Sequence, residues 1–348
     1  MGPRRIAQLL SIFGSATNVF AAPHHAFVGL SGIGSSLAGA LRHPPFDRVH
    51  ALIEQCHSLG DAVLTPADAD FPALLRSIPD PPPILFARGN VVVGNAEAIA
   101  IVGSREHTRY GAEVAERLGQ VAAEAGLVVV SGMARGLDAV AQRAAMNSGG
   151  RSIGVLGTGV DVVYPARNQE LFDRIVRDGL LLSEYPPGAK PEPGSFPRRN
   201  RLISGLARAL VVVEAAEGSG TLITVGAALE QGREVLAVPG PIFSPTSRGT
   251  NRLLRDGATP LLDPSDMLAA LGLRPATPPG EVLVSAPCTL SPTEARVFAA
   301  LSSDGRTVDE LAESVGLPVG ELLAALLGLE LGGVAQQLPG ALYRRRAR

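Results

Sequence analysis

Three arginines and an asparagine occupy the four consecutive positions from Arg198 to Arg201. A guanidinium group offers a planar fork of hydrogen-bond donors that matches the oxygens of a phosphate. After an apolar segment at 209–214, the turn Gly218-Ser-Gly-Thr221 leads into a helical pattern. A glycine-rich turn at the start of a helix points backbone N–H groups at an anion. Residues 195–221 therefore predict a phosphate site, and two such features side by side favour a polyanion-binding groove over a pocket for a neutral molecule.

The elements that must position these residues are alternating strands and helices. Between residues 97 and 271, near-continuous apolar runs are separated by helical patterns such as Tyr110–Ala125 and Arg167–Asp178. Apolar runs without polar alternation are typical of strands buried on both faces of a parallel sheet. The predicted fold class is α/β, an extended Rossmann-like, doubly wound, mostly parallel sheet. The predicted strands are Ala98–Val102, Leu127–Val130, Ile153–Leu156, Leu180–Leu182, Ala209–Val213, Val235–Val238 and Pro260–Leu262.

Glycine, hydroxyl or arginine residues follow five of the predicted strands. Ligands of doubly wound sheets bind beyond the carboxyl ends of the strands. One glycine turn would be weak evidence, whereas five turns at the same predicted edge indicate an extended binding surface. The segments are Gly103-Ser-Arg105, Ser131-Gly-Met-Ala-Arg-Gly136, Gly157-Thr-Gly159, Gly218-Ser-Gly-Thr221 and Pro239-Gly240.

Four regions are predicted along the chain. They are a helical domain at 1–63, similar to SAM or helix-hairpin-helix domains, a Rossmann-like domain at 64–272, a Pro-rich linker at 273–290 and a winged-helix domain at 291–348. In the first region, a structural role is favoured over a DNA contact for the turn Leu30–Ser35. In the proline-rich segment 64–90, Ile84–Phe86 is predicted to be a short strand at a sheet edge, where neighbouring prolines are tolerated.

The third predicted helix of the winged domain, Val319–Leu331, stands in the position of a DNA-reading helix. It contains no arginine or lysine to meet a phosphate or a guanine. Protein contact is therefore favoured over DNA reading for this helix. The arginines at 344–346 are either a backbone-phosphate contact or a solvated tail.

The composition limits the function classes. A net charge of −2 excludes a uniformly basic protein, and the eight basic against five acidic residues of segment 195–256 indicate a local patch. The two cysteines, Cys56 and Cys288, fall in different predicted regions, which argues against a disulfide framework and favours a reducing compartment. No metal-ligand spacing and no run of about 20 apolar residues occurs. We therefore expect a cytoplasmic protein with no metal and no membrane span.

Motifs of several enzyme classes are missing from the sequence. It has no P-loop, no Gly-x-Gly-x-x-Gly after the first strand and no Gly-x-Ser-x-Gly. Asp138 and Glu184 lie near strand ends without a histidine placed to work with them. The alternative is a nucleotide-processing enzyme, because Gly218–Thr221, Glu230 and Pro239-Gly240 are reminiscent of nucleoside-monophosphate phosphoribohydrolases. That family's Pro-Gly-Gly-x-Gly-Thr-x-x-Glu is not matched, so no catalytic residue and no enzyme activity is predicted.

Taken together, the motifs resemble the DNA-processing protein A (DprA/Smf) family. The resemblance implies a single-stranded-DNA-binding protein of natural transformation that protects incoming strands and loads the RecA recombinase, supporting homologous recombination. It also implies a homodimer without established catalytic activity, and no cofactor is expected. The matching motifs are Ile101-Val-Gly-Ser-Arg105, Ser131-Gly-Met-Ala-Arg-Gly136, Gly157-Thr-Gly-Val-Asp161, Tyr164-Pro-x-x-Asn168, Phe196-Pro-Arg-Arg-Asn-Arg201, Ile203-Ser-Gly205, Glu214-Ala, Ser219-Gly-Thr221, Val238-Pro-Gly240, Asn251 and Gly257-Ala258.

The predicted DNA-binding residues lie on the strand-end segments and in the arginine cluster. Arg105, Arg199 and Arg201 are expected to contact phosphates first, followed by Arg198. On a helix that starts near Arg198, Arg199 points away from Arg198 and Arg201. The full predicted set is Gly103, Ser104, Arg105, Ser131, Gly132, Arg135, Gly157, Gly159, Lys190, Phe196, Arg198, Arg199, Asn200, Arg201, Ser204, Ser219, Gly220, Thr221 and Gly240.

Several of these assignments have an alternative. Phe196 and Tyr185 are candidates for base stacking, and packing in the core is equally expected for each ring. Asn200 and Ser204 either contact DNA or organise the turn. Arg135, like Arg248, is either a DNA contact or salt-bridged to a nearby acid. Lys190, the single lysine among 31 basic residues, either touches phosphate or is solvated.

Overall fold

The computed structural model describes residues 3–273, 290–302, 305–338 and 342–345. The chain divides into two compact units, Met1–Ala276 and Thr277–Arg348. The predicted linker lies outside the described residues, apart from its two terminal positions.

The first unit begins with four helices. They are α1 (Pro3–Phe13), α2 (Ala16–Ala21), α3 (Ser35–Arg42) and α4 (Phe46–Ser58). Gly14 follows α1 with φ 80°, a conformation that glycine adopts without strain, and so ends the helix. Leu9, Val19, Phe27 and Leu41 form a small apolar core. Cys56 at the end of α4 packs on Phe86 and Val160, which joins this bundle to the sheet.

A nine-stranded sheet forms the centre of the first unit. The strands are β1 (Ala62–Leu64), β2 (Leu85–Gly89), β3 (Ala98–Val102), β4 (Val128–Ser131), β5 (Ser152–Leu156), β6 (Leu180–Ser183), β7 (Ala209–Val212), β8 (Glu234–Ala237) and β9 (Thr259–Pro260). Their order in the sheet is β1-β2-β6-β5-β4-β3-β7-β8-β9, and every pairing from β6 to β9 is parallel. This arrangement confirms the predicted mostly parallel α/β sheet.

Two features at one end of the sheet differ from the sequence prediction. The sequence did not predict β1, which spans the predicted boundary at residue 63. The prediction of Ile84–Phe86 as an edge strand was wrong, because β2 pairs antiparallel with β1 on one side and with β6 on the other. The prolines at 81–83 all precede β2, so none of them removes a donor from its ladders.

Helices cover both faces of the sheet. Alternate residues of β3 point to opposite sides, with Ala98, Ala100 and Val102 in one apolar cluster and Ile99 and Ile101 in the other. The helices are α5 (Ala73–Arg76), α6 (Arg109–Glu124), α7 (Leu137–Asn147), α8 (Gln169–Asp178), α9 (Ser195–Gly205), α10 (Thr221–Glu230), α11 (Arg248–Arg255) and α12 (Pro264–Ala270). The first cluster includes residues of α9 and α10, and the second includes residues of α6, α7 and α12.

The second unit has the order of a winged helix. It contains α13 (Pro292–Ala300), β10 (Arg306–Thr307), α14 (Val308–Val315), α15 (Val319–Leu331), β11 (Ala335–Leu338) and β12 (Leu342–Arg345). The three strands form a sheet in the order β10-β12-β11. Gly316, with φ 67°, ends α14, and Pro318 precedes α15. The core of this unit contains Val297, Leu311, Leu322, Leu326 and Leu329.

Candidate nucleic-acid interface

The sheet has a topological switch point between β3 and β7. From β3 the chain proceeds through β4, β5 and β6 in one direction, and β7, β8 and β9 extend the sheet in the other. The loops after β3 and β7 therefore diverge and open a crevice at the carboxyl edge. A cleft of about 820 Å³ lies there, bordered by these loops, the loop after β4 and helix α9.

Ten of the predicted residues line this cleft. They come from four separate segments that only the fold brings together. They are Gly103, Ser104, Arg105, Arg135, Phe196, Arg199, Asn200, Ser219, Gly220 and Thr221.

The other nine predicted residues lie outside the cleft lining. Ser131 is buried and its hydroxyl donates to the Ile101 carbonyl over 2.6 Å. Ser204 is buried as well, and donates to Gln231 Oε1 over 2.7 Å, while Lys190 is exposed. The whole group is Ser131, Gly132, Gly157, Gly159, Lys190, Arg198, Arg201, Ser204 and Gly240.

Arg105 presents an accessible charge on the cleft. It is exposed, and it forms no ion pair with any acidic side chain in the described part of the chain. The turn that carries it is shaped by Ser104, whose hydroxyl donates to the Glu106 carbonyl and accepts from the Glu106 N–H. Arg135, on the neighbouring loop, instead pairs with the Glu106 carboxylate at 3.1 Å. Of the cleft arginines, Arg105 is therefore the one whose charge is available to a ligand.

Arg199 forms the floor of the cleft rather than its wall. Its side chain is 4% exposed, and Nη1 donates to the carbonyls of Gly132, at 2.7 Å, and Val155. Burial lowers the pKa of this guanidinium to about 10, and the nearby Asp138 charge partly opposes the shift. The guanidinium thus joins the ends of β4 and β5. From the sequence we expected Arg199 to be among the first residues to contact a phosphate.

Asp138 lies beneath the same floor, in the first turn of α7. Its carboxylate is buried and accepts a hydrogen bond from the Gly132 N–H at 3.1 Å. Burial raises the pKa of Asp138, and the positive charge of Arg199 acts in the opposite direction. Asp138 therefore supports the cleft, because its carboxylate oxygen is hydrogen-bonded to the loop after β4.

Arg201 is held by two carboxylates. It makes a bidentate contact with Glu184 at 2.6 and 2.7 Å, and Nε lies 3.2 Å from Asp80 Oδ2. Burial lowers the pKa of Arg201, but the hydrogen bonds and charge of Glu184 outweigh it and raise the pKa above its ordinary value. Arg198 is exposed on the same helix. Arg199 faces the sheet instead. The helical spacing had predicted only that it points away from Arg198 and Arg201.

The glycine turn is an open wall of the cleft. A side chain built at Gly218 or Gly220 would have nothing within 4 Å, and Gly218 has φ 74°. The Ser219 hydroxyl accepts from the Thr221 N–H, and Thr221 Oγ1 donates to the Gly103 carbonyl at 3.3 Å. The turn after β7 is thereby tied to the turn after β3. Its backbone starts α10, whose N-terminus favours negative charge.

Other predicted glycines make room for the protein's own side chains. A Cβ at Gly157 would lie 2.9 Å from a ring atom of Phe196, and one at Gly132 would lie 2.8 Å from Arg199 Nη2. At Gly159 it would lie 2.7 Å from the Pro186 carbonyl. Close packing therefore accounts for glycine at these three positions without a ligand.

An aromatic pair lies at the start of α9, the helix that carries the arginine cluster 198–201. The rings of Tyr164 and Phe196 have centroids 5.4 Å apart with an interplanar angle of 33°. Both residues line the cleft, and Tyr164 is 48% exposed. In the sequence, Tyr164 stands out only as part of a family motif, because nothing local indicates that it meets Phe196. Tyr185, the other stacking candidate, lies outside the cleft lining, near Arg198.

The described residues hold neither a candidate metal centre nor a spanning helix. No group of three or more His, Cys, Asp and Glu residues is arranged for a metal ion in the described ranges. In the same ranges, no single helix is long and apolar enough to cross a membrane; the bent pair α14 and α15 meets the criterion by length and composition only.

The fold and the cleft define a Rossmann-like α/β protein with a cleft at the carboxyl edge of its sheet and a winged-helix unit. The chain belongs to the DNA recombination-mediator protein A family, whose model matches residues 62–272, and a DprA winged-helix domain model matches residues 281–341. Protein Smf of Synechocystis is 35% identical over 328 residues, covering 84% of this chain and 82% of the relative. DNA processing protein DprA of Bacillus subtilis is 43% identical over 202 residues, covering 58% and 68%.

Two solved structures of DNA processing protein A are similar to this chain. The Streptococcus pneumoniae protein aligns with a TM-score of 0.68 at 35% identity, over 76% of this chain and 91% of that one. The Helicobacter pylori protein aligns with a TM-score of 0.56 at 29% identity, over 61% and 95%, and its structure concerns a single-stranded DNA binding mode.

Proposed function

We propose that this protein binds single-stranded DNA in the cleft at the switch point. The observation that carries the proposal is the unpaired, exposed Arg105 on a cleft shared with the open turn Gly218–Thr221. A phosphate between them receives the guanidinium fork on one side and the N-terminus of α10 on the other. The cleft therefore offers a place for a phosphate backbone.

The aromatic pair favours a single strand over a duplex. Unpaired bases stack on exposed rings, and each stacked base contributes about 1–3 kcal/mol. In a duplex the faces of the bases are already covered by their neighbours. Tyr164 and Phe196 supply the stacking surface at the cleft. The single-stranded DNA binding mode of the H. pylori relative supports this choice.

The predicted residues divide into two roles under this proposal. Arg105, Asn200 and the turn Gly218–Thr221 contact the strand, and Arg135 contributes a charge that Glu106 partly balances. Phe196 stacks on bases together with Tyr164. Arg199 and Arg201 hold the loops in place, because their side chains bond to the protein's own carbonyls and carboxylates.

The cellular role proposed here rests on membership of the family. We infer that the protein protects single strands in the cytoplasm during natural transformation and, as a homodimer, loads the RecA recombinase onto them. No chemical step is assigned to the cleft. Asp138 is buried and bonded to backbone, and no histidine is among the described residues that line the cleft.

The decisive experiment is fluorescence anisotropy with a labelled single-stranded oligonucleotide at several salt concentrations. Replacing Arg105 with Ala is expected to weaken binding about tenfold or more, because it removes a charge-assisted contact. It is also expected to reduce the slope of log K against log salt by about 0.7, the contribution of one phosphate contact on a single strand. The same variant is expected to lose stimulation of RecA filament formation, measured as RecA ATP hydrolysis on coated single strands.

The matched control is Arg208→Ala. Arg208 is exposed and paired with Glu97 at 3.0 Å, and it precedes β7 at the opposite edge of the sheet. Its replacement should leave both affinity and salt slope unchanged. Equal effects of the two substitutions, or release of free adenine from AMP by the wild-type protein, would contradict the proposal.

A further inference from the structure

The third helix of the second unit, α15, has an exposed apolar stripe. Val319, Leu323, Leu327 and Leu331 are 49, 43, 57 and 82% exposed, and they recur at every fourth position. Such a row runs along one side of a helix, and here it extends for about 18 Å at 1.5 Å per residue. The adjoining side of α15 packs Leu322, Leu326 and Leu329 into the core of the unit. The stripe is therefore additional to what this unit needs for its own packing.

The exposed charges of the segment that contains α14 and α15 are of one sign. Between Arg306 and Arg344 the sequence contains no arginine and no lysine. The same segment contains five acidic residues, namely Asp309, Glu310, Glu313, Glu321 and Glu330. All but Glu330 are exposed. A surface with this charge repels nucleic-acid phosphates, whose neutralisation requires basic side chains.

Three arginines in the described part of the second unit are bound to its own groups. Arg296 donates to the Val315 carbonyl at 2.8 Å and Arg306 to the Ala300 carbonyl at 3.1 Å. Arg345 donates to the Phe298 carbonyl at 2.9 Å and stands over the Phe298 ring at 4.4 Å. These interactions make the arginines part of the unit's framework.

We propose that the exposed face of α15 is a docking site for an amphipathic helix of a partner protein. The partner helix carries an apolar stripe bordered by lysine or arginine. Rows of side chains at i and i+4 on two helices interdigitate at a crossing angle of about −50°. The acidic side chains of α14 and α15 then select basic flanks and reject a second copy of the same face, since like charges oppose each other. This inference is independent of the cleft and goes beyond the proposed DNA binding.

The test uses the full chain and three labelled synthetic peptides of equal length in an anisotropy titration. The first is an amphipathic helix with a leucine stripe and lysine flanks, the second is a scrambled version of it, and the third has glutamate in place of lysine. The first peptide is expected to bind at least tenfold more tightly than the other two. Replacing both Leu327 and Leu331 with Asn should weaken that binding at least tenfold, because two apolar side chains no longer contribute.

Two further variants keep the test informative. Leu229→Asn changes an equally exposed leucine, on α10 of the first unit, and should leave peptide binding unchanged. Glu321→Lys keeps the stripe intact and should weaken binding of the lysine-flanked peptide while improving that of the glutamate-flanked peptide. If the double asparagine variant is less folded by circular dichroism, the charge reversal alone decides the question.

Three results would overturn the docking proposal. The first is equal binding of the scrambled peptide. The second is a lower mass of the double asparagine variant in sedimentation, which would indicate a second copy of the chain as the occupant. The third is a loss of oligonucleotide affinity in that variant, which would indicate nucleic acid as the occupant. Single-stranded DNA binding should stay at the wild-type level in the double variant. A failure of the cleft proposal and a failure of this one are therefore distinguishable.

Discussion

At the scale of single residues, the cleft depends on a buried guanidinium. Placing an unpaired charge in the interior is costly, and Arg199 is tolerated because its donors reach two carbonyls and Asp138 lies nearby. The same contacts fix the ends of β4 and β5, on which the loops at 131–136 and 157–159 depend. Arg199 is thus positioned to determine the shape of the cleft.

Replacing Arg199 with Met is expected to destabilise the first unit by about 3 kcal/mol, because the carbonyls and Asp138 lose their partner in a buried site. Urea unfolding followed by circular dichroism measures this change. Arg198→Met, one residue away and exposed, should change stability by no more than about 0.5 kcal/mol. An Arg199→Met protein as stable as the wild type but with a reduced salt slope for oligonucleotide binding would assign Arg199 to phosphate contact instead.

At the scale of elements, helix starts in the second unit are secured by side chains. Ser291 and Glu294 form a capping box at α13, and Thr307 and Glu310 form another at α14. Hydrogen bonds from the backbone and side chain of the cap residue lower the pKa of Glu294 and of Glu310. Each carboxylate is therefore more readily ionised in the folded chain than in the unfolded chain.

This difference predicts an acid-sensitive second unit. A lowered pKa in the folded state adds stability above the unfolded-state pKa of 4.5, and that stability is lost as the pH falls through the lowered value. The wild-type second unit is therefore expected to lose stability between pH 5 and about pH 3, and Glu294→Gln and Glu310→Gln should reduce this loss. The loss is measured as reduced protection of the α13 and α14 amides from hydrogen exchange, with each variant compared with the wild type at the same pH. Glu313→Gln, on α14 outside the capping box, should keep the wild-type response.

At the scale of the whole molecule, the cleft belongs to one unit only. All residues that line it lie between 102 and 224, inside the unit Met1–Ala276. The helical N-terminal part is joined to the same sheet by packing of Cys56 and by the ion pair of Arg88 with Asp61 at 2.6 Å. The winged unit has its own core and its own sheet.

A chain that ends at residue 276 is therefore expected to keep single-stranded DNA affinity within about threefold of the full chain, with the same salt slope. It should lose all binding of the lysine-flanked amphipathic peptide. Both are measured by anisotropy at matched protein concentrations. A loss of oligonucleotide affinity of tenfold or more on truncation would show that the second unit contributes to the DNA site.

The sequence by itself determined the fold class, the family and the edge of the sheet that carries the site. Apolar runs of strand length separated by helical patterns specify a parallel sheet, and loops after parallel strands must emerge at one edge. Helical spacing also separated Arg199 from Arg198. These conclusions depend on local periodicity and on order along the chain, both of which are readable without coordinates.

Only the tertiary structure decided which of these residues are available to a ligand. Arg201 meets Asp80 from 121 positions away. Arg199 meets the carbonyl of Gly132, directly after β4, and that of Val155 on β5. Tyr164 reaches Phe196 across the cleft edge, and Thr221 bonds to Gly103. Such partners depend on how the strands are ordered and how the helices pack on them. An arginine's type predicts that it can hold a phosphate, but its burial and its partners determine whether it does.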